Sequence, residues 1–276
     1  MQNKLSNIFK KVPAYILVGI WIVIALTPLL WMVSSSFKGE ASLMATPPKL
    51  LPDPFSLENY QKLFEKPVLL WVFNSVFVAT IVTIEVVAVS SLAGYAFAKL
   101  RFPGRNLLFW LLIMTMMIPG QVTLAPLYEL IMRLGFLDSF KALIFPPIAA
   151  VWGTFLLKQF IQTLPTELID SGRVDGASEL QIFSRIILPV AKPGLAVLGI
   201  FTFVAHWNDF MWPLVVLKDQ SRYTIQLGLS AFRFQYTTAY GPMMAGATLA
   251  ALPMVIIFLL LQRYFMEGLT VGAIKG

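Results

Sequence analysis

From Val12 to Phe37 the sequence carries no charged residue, and several later stretches are nearly as apolar. A hydrocarbon core about 30 Å thick takes roughly 20 apolar residues in helical form to cross. Lipid offers no partner for backbone amides and carbonyls, so such runs must be helices or strands of a closed barrel. The alternation a barrel requires is absent. The chain is therefore read as an all-α integral membrane protein. Composition agrees: 58% of residues are hydrophobic and 13% are charged, against about 25% charged in ordinary soluble domains. Lys4, Lys10 and Lys11 before the first run imitate a secretory signal, but the run exceeds a signal core of about 7–15 residues and no A-x-A site follows. It is read as a retained span.

Six spans are expected, at Tyr15–Val33, Trp71–Ala98, Asn106–Leu124, Ala142–Phe160, Pro193–Val216 and Tyr240–Leu261. Lys158 is close enough to the end of the fourth to snorkel. The basic N-terminus and the short link with Lys99, Arg101 and Arg105 and no acid belong in the cytoplasm by the positive-inside rule. This gives an N-in, C-in chain with a cytoplasmic N-terminus over residues 1–14, a six-helix domain over 15–264, a cytoplasmic interval at 167–189 and a cytoplasmic tail over 265–276. The net charge of +7 then reflects loop bias and not a nucleic-acid partner. Outside, Ser56–Lys66 reads as a short amphipathic helix. Gly120–Ser139 reads as a bend with an interfacial helix near Leu127–Leu134, either a gate or a connecting loop.

Catalytic patterns are missing. There is no G-x-x-x-x-G-K-[ST], H-E-x-x-H or G-x-S-x-G. There is no cysteine and one histidine, His206. The chain is read as a non-enzyme without metal or cofactor of its own. Small residues at Ser90, Gly94 and Ala98, at Gly246 and Ala250, and at Ala247 and Ala251 mark close helix contacts, and Met114, Met116 and Met117 mark adaptable packing. Two carboxylates fall inside spans, Glu85 and Asp209, where a charge costs about 2.5–3.5 kcal/mol on insertion scales. Each should face protein or a water-filled path. Asp209 belongs to AHWNDFMWP, with Trp207, Asn208 and Trp212. Aromatic faces beside amide and carboxylate groups suit a polyhydroxylated ligand, and equally suit an interfacial aromatic belt with a satisfied polar cluster.

The interval Glu167–Pro189 has an internal design. One short helical run over about Thr166–Val174 meets a second at Asp175-Gly176-Ala177. Ser178 followed three residues later by Gln181 has capping-box spacing. Leu180, Phe183, Ile186 and Ile187 then share one helical face, and Pro189 reads as a stop. The interval is either a pair of amphipathic helices lying on the bilayer or a docking element for a soluble partner.

Gly176, nine residues, and then Ile186-Ile187-Leu188-Pro189 resemble the cytoplasmic EAA-type loop of binding-protein-dependent ABC importer permeases; Asp170-Ser171-Gly172 stands where that loop has Glu-Ala-Ala. GQVTLAPLY, WNDFMWPLVVL and LQRYFMEGLTVGAIKG are similar to the shorter subunit of the maltose-type carbohydrate permeases. The resemblance implies a type I ABC importer permease in a bacterial or archaeal cytoplasmic membrane. Its implied partners are a second homologous permease subunit, a cytoplasmic ATPase dimer that binds ATP and magnesium, and an extracytoplasmic solute-binding protein, and its implied cargo a sugar or oligosaccharide. It implies ATPase coupling through Glu167, Asp170, Ser171, Gly172, Asp175, Gly176, Ala177, Phe183, Ile186, Leu188 and Pro189, and a C-terminal ATPase contact at Gly268, Leu269, Thr270 and Gly272. Trp207, Asn208, Asp209 and Glu85 are candidate pathway residues. The alternative is an ion-coupled secondary transporter using Glu85 or Asp209.

Overall fold

The computed structural model describes residues 2–232 and 239–270, with side chains described over 11–232, 239–260 and at 262. All regular structure among them is helical, apart from one isolated antiparallel bridge between Lys38 and Phe55. Among the described residues, three helices are long and apolar enough to cross a membrane: Lys11–Ser36, Val68–Lys99 and Tyr240–Leu260. Two bent pairs raise the number to five when each is taken as one span, Lys141–Ala149 with Val151–Gln162 at 41° and Glu179–Val190 with Lys192–Trp207 at 77°.

The third, fourth and fifth expected spans are interrupted, each beside a proline. The helix Arg105–Thr115 ends early. Met116, Met117 and Ile118 donate to carbonyls three residues back, a tightening that runs up to Pro119, whose ring biases Ile118 away from the α conformation. At about 1.5 Å per residue the eleven residues rise roughly 17 Å, short of a hydrocarbon core. The fourth region breaks into Lys141–Ile144, a 3-10 turn Pro146–Ala149 and Val151–Gln162. Pro146 has no N–H to give the carbonyl of Ala142, and the indole Nε1 of Trp212 donates to that oxygen instead, at 2.8 Å. The fifth runs from Lys192 to Trp207, breaks, and resumes as Met211–Val216. Pro213 cannot bond the carbonyl of Asp209 four residues back, and the break falls there. Where a short helix was expected near Leu127–Leu134, the chain forms Leu124–Arg133, with Pro126 in its first turn.

The chain divides into two compact units, Met1–Val68 with Leu229–Leu252, and Leu69–Gly228 with Pro253–Gly276. In the first, Asn59 on the short helix Glu58–Phe64 donates to the carbonyls of Ser36 and Lys38 at 3.1 and 2.7 Å. Phe37 stacks on Phe55 with centroids 5.0 Å apart. The buried Lys38 ammonium lies 4.0 Å from the Trp31 ring centroid and donates to the carbonyl of Lys49. A Cβ on Gly246 would press on the side-chain ends of Leu229 and Leu63.

The second unit holds the main apolar core. The Val68–Lys99 helix turns Val78, Val82, Val86 and Tyr95 into it, at helical spacing. Ser90 and Gly94 on the same helix meet Val151–Gln162: a Cβ on Gly94 would lie 2.9 Å from the Cβ of Leu157 and 3.0 Å from the amide nitrogen of Lys158, and Gly153 faces Ser90 and Leu198. At that end of the helix the small residues serve packing within the chain. At its opposite end, Trp71 Nε1 donates to the carbonyl of Gln220, and Asn74 to those of Ser221 and Tyr223. Asp138, at φ 52, accepts from the amides of Lys218 and Asp219 at 2.9 and 3.1 Å and pairs with Arg222 at 2.7 Å.

Gly94→Val should force the two helices apart and cost about 1–3 kcal/mol, read as a lower thermal midpoint of the purified assembly; an unchanged midpoint would contradict the close approach. Asp138 gives a second expectation. The amide of Lys218 leads the groups that hold its carboxyl below the ordinary 3.8. A group whose folded pKa is depressed stabilises the fold above its unfolded pKa, and that contribution is lost as pH falls through the folded value. Wild type should therefore lose stability below about pH 4 more steeply than Asp138→Asn, in thermal midpoints measured across pH.

Candidate functional site

The interval between Val151–Gln162 and Lys192–Trp207 folds as helix, turn, helix. The first helix is Glu167–Val174. It ends in a Schellman motif: the amide of Ala177 bonds the carbonyl of Gly172 at 2.9 Å, and that of Gly176 bonds Arg173 at 3.1 Å. Gly176 has φ +76, the left-handed region where a side chain is strained. The second helix opens with the expected capping box. Ser178 accepts from the amide of Gln181, and the Gln181 side chain accepts from the amide of Ser178 at 2.8 Å. The chain passes from Glu179–Ile182 through a π turn at Phe183–Ile187 into Leu188–Val190. Pro189 is thus not the stop it was expected to be. It lacks the N–H that would bond Arg185, four residues back, and the π turn widens the helix at that level. The chain turns by 77° after Val190.

The two helices are fastened to each other. A Cβ on Gly172 would sit 2.9 Å from Cδ1 of Ile186 and 3.1 Å from Cγ1 of Ile182, so the glycine third in Asp170-Ser171-Gly172 is a contact point. Across the turn, Arg173 Nε donates to Glu179 Oε1 at 2.9 Å and reaches Asp170 at 3.4 Å. The Tyr95 hydroxyl donates to Glu179 Oε2 at 2.6 Å. Tyr95 lies near the end of Val68–Lys99, and its ring centroid is 5.5 Å from that of Phe183. Lys99 caps the carbonyl of Leu164 at 2.6 Å.

The sequence did not single out Arg173, Glu179 or Tyr95. The bond from Tyr95 spans 84 residues and that between Arg173 and Glu179 spans six, neither a helical spacing. Ser171 bonds locally to the carbonyl of Leu168 at 3.1 Å.

Burial divides the element in two. Ile169, Ile182, Phe183 and Ile187 are buried in the core, while Ile186, Leu188 and Ala177 are half-buried. Glu167, Asp170, Ser171, Asp175, Gly176 and Pro189 are exposed. Val174 is 87% and Leu180 69% exposed, an apolar residue on each side of the turn. Leu180 was expected on the face of Phe183 and Ile187; the buried stripe runs instead through Ile182, Phe183 and Ile187, leaving Leu180 outward.

The other candidates do not form one cluster. Trp207 is buried and stacks on Phe203 with centroids 6.0 Å apart. Asn208 ends its helix, donating to the carbonyl of Val204 at 2.9 Å and accepting from Gln226 at 3.4 Å. Asp209 accepts from the amide of Trp212 at 3.4 Å, at the start of the helix containing Pro213. Glu85 belongs to the Val68–Lys99 helix, and its Oε1 is buried without a hydrogen-bond partner among the described residues. Gly199 faces Thr83 and Val87 at that level, and Trp207 lies eight residues, roughly 12 Å, further along its helix. Gly268, Leu269 and Thr270 lie in helix Tyr240–Thr270, which runs through the boundary expected near residue 264; their side chains and Gly272 lie outside the described residues. No group of three or more histidine, cysteine or acidic side chains that could hold a metal occurs among the described residues.

Residues 87–271 match the family model described as a binding-protein-dependent transport system inner membrane component. The chain is 37% identical over 257 residues to the arabinooligosaccharides transport system permease protein AraQ of Halalkalibacterium halodurans, covering 92% of each chain. It is 35% identical over 257 residues to the sn-glycerol-3-phosphate transport system permease protein UgpE of Salmonella typhimurium, covering 90% of this chain and 92% of the relative. Among solved structures, a chain of a bacterial ABC transporter involved in importing the acidic polysaccharide alginate superposes with a TM-score of 0.83 at 22% identity, covering 94% of this chain and 97% of that one.

Ala at position 172 needs the terminal methyl of Ile186 to move and Cγ1 of Ile182 to give by a few tenths of an ångström. Gly172→Ala should therefore change stability by less than about 1 kcal/mol, whereas Gly176→Val, forced to positive φ, should cost about 1–3 kcal/mol. Thermal midpoints of the two variants should separate in that order.

Proposed function

The chain belongs to the family of binding-protein-dependent transport system inner membrane components, and from that premise we propose that it is the transmembrane permease subunit of an ABC importer for a sugar or oligosaccharide. It crosses the membrane six times, N-in and C-in, with bent or short helices at the third, fourth and fifth crossings. Its partners are a second permease subunit, a cytoplasmic ATPase pair and an extracytoplasmic solute-binding protein, and ATP and magnesium are bound by the ATPase. The relatives' named cargoes, arabinooligosaccharides and sn-glycerol-3-phosphate, support a polyhydroxylated solute.

The observation that carries this reading is the exposed turn between Val174 and Leu180 on an element whose other face lies in the core. Val174 and Leu180 place an apolar side chain on each side of the turn, on a loop outside the expected spans, where a soluble partner can cover them. Here they are the anchors for a cleft on the ATPase, with Glu167, Asp170 and Asp175 at the rim. The Gly172 contact, the Schellman turn and the Arg173–Glu179–Tyr95 chain hold the wedge as one lever. Movement of the ATPase cleft pushes that lever, and the sharp turn after Val190 passes the push to Lys192–Trp207. Asn208 and Asp209, where that helix breaks, line the solute path, with the buried Trp207 supporting them from behind and Glu85 placed at a separate level of the path.

The test is ATP hydrolysis by the purified transporter with its binding protein across a sugar panel. One sugar should stimulate a vanadate-sensitive ATPase. Leu180→Asp, whose side chain contributes little to the core, should cut stimulation and ATPase copurification about tenfold, equivalent to about 1.4 kcal/mol, while insertion and thermal midpoint stay unchanged. Uptake driven by an ion gradient and indifferent to vanadate would overturn the reading.

A further inference from the structure

Near the end of the Val68–Lys99 helix, two cavities flank one arginine. An open cleft of about 420 Å³ is lined by Arg101, Arg105 and Asn106. A narrower pocket of about 210 Å³ is lined by Arg105, Asn106, Lys158 and Gln162, over the rings of Phe97 and Phe109. No acidic side chain lines either, and no ion pair is made by Arg101, Arg105 or Lys158 among the described residues. The basic character of the link is ordinary for a cytoplasmic loop. The position of Lys158 is not. It is half-buried on a different helix, Val151–Gln162, and its ammonium is held 4.6 Å from the Phe109 ring centroid, facing the same pocket as Arg105. Phe109 is itself fixed by Phe97 and Phe155, with centroids 5.5 and 6.4 Å away. Arg105 is oriented by one bond to the carbonyl of Leu100 at 3.0 Å, which leaves guanidinium N–H groups for a ligand.

The surroundings identify the ligand. Beyond Asn106 the helix Arg105–Thr115 presents Leu107, Leu108, Trp110 and Leu111 outward, all exposed. A basic pocket continuous with an apolar helix face matches a molecule with an anionic head and hydrocarbon tails. We propose that Arg105 and Lys158, with Asn106, form a binding site for the phosphate of an anionic phospholipid, whose acyl chains lie along the Leu107–Leu111 face. The proposal rests on the chain being a membrane protein and is independent of which solute it moves.

The test uses the assembled transporter equilibrated in equal amounts of phosphatidylglycerol and phosphatidylcholine, with retained lipid counted by native mass spectrometry. Each basic side chain at a charged bilayer surface contributes several-fold to anion binding, so wild type should retain the anionic lipid about tenfold over the zwitterionic one. Lys158→Gln with Arg105→Gln should bring the ratio near unity. Lys158→Arg should keep the preference. If the double variant does not assemble, Lys158→Gln alone should lower the ratio about threefold. Equal anionic retention by wild type and the neutral variants overturns the proposal. Displacement of the lipid by millimolar inorganic phosphate also overturns it, assigning the pocket to a free anion. The readout is bound lipid, so a transporter that responds to no sugar tested still answers the question.

Discussion

A backbone in hydrocarbon must pair its own amides and carbonyls, and this chain places prolines where that pairing cannot be completed. Four of the places where its helices bend, thin or stop lie beside such a proline. Ahead of Pro119 the helix tightens to three-residue bonds. At Pro146 the orphaned carbonyl of Ala142 is taken by the indole of Trp212, seventy residues away in sequence. Before Pro213 the helix opens, and Asp209 caps the short helix Met211–Val216. Before Pro189 the helix widens by a π turn. Each repair draws in a side chain or a change of helix type, and together they set the directions of the elements around the wedge.

Those directions bear on how force can pass through the molecule. The wedge is built from short helices that could not stand alone: four residues in Glu179–Ile182 are far fewer than an isolated helix needs. Their order comes from Ile169, Ile182, Phe183 and Ile187 sunk in the core, and from the close approach at Gly172. The hydrogen bonds through Glu179 add direction more than strength, since exposed ion pairs contribute little. On the proposed coupling role, a lever whose stiffness lies in packing would transmit displacement with little loss, because close-packed interiors have low compressibility and transmit strain.

Much of this was legible in the sequence. The Gly176 turn, the Ser178–Gln181 box and the spacing to Ile186–Pro189 are local signals, complete within a few residues. The apolar runs announced helices, and small residues at Ser90 and Gly94 announced a close neighbour. The features that stayed hidden depend on pairings distant in the chain. Periodicity put Leu180 with Phe183 and Ile187, yet the π turn and the contact with Gly172 select Ile182 in its place. The apolar stretch after Arg105 read as a full span because hydropathy continues through Met117 and Ile118; the backbone turns there for a conformational reason that hydropathy does not register. Nothing in the sequence ties Tyr95 to Glu179.

The polar groups of this largely apolar chain sort by whether the chain itself consumes their hydrogen bonds. Asn74, Asp138, Glu179 and Trp212 are committed to backbone or side-chain partners within the fold. Arg105, Lys158, Asn208 and Asp209 keep donors or acceptors beyond the bonds they make at home. Asp209 shows the distinction within one residue: the amides of Trp212 and Met211 bond its carboxylate and hold the side chain at the break, while the lone pairs of a carboxylate exceed those two bonds. On the proposed pathway role, a carboxylate oriented in this way would give up less conformational freedom to a hydroxyl-bearing solute than a mobile one. The same logic holds for Lys158, whose place over the Phe109 ring is set before any anion reaches it. Capping, aromatic support and proline breaks thus do a second job here, fixing in advance the few polar groups that the fold leaves available to something outside the chain.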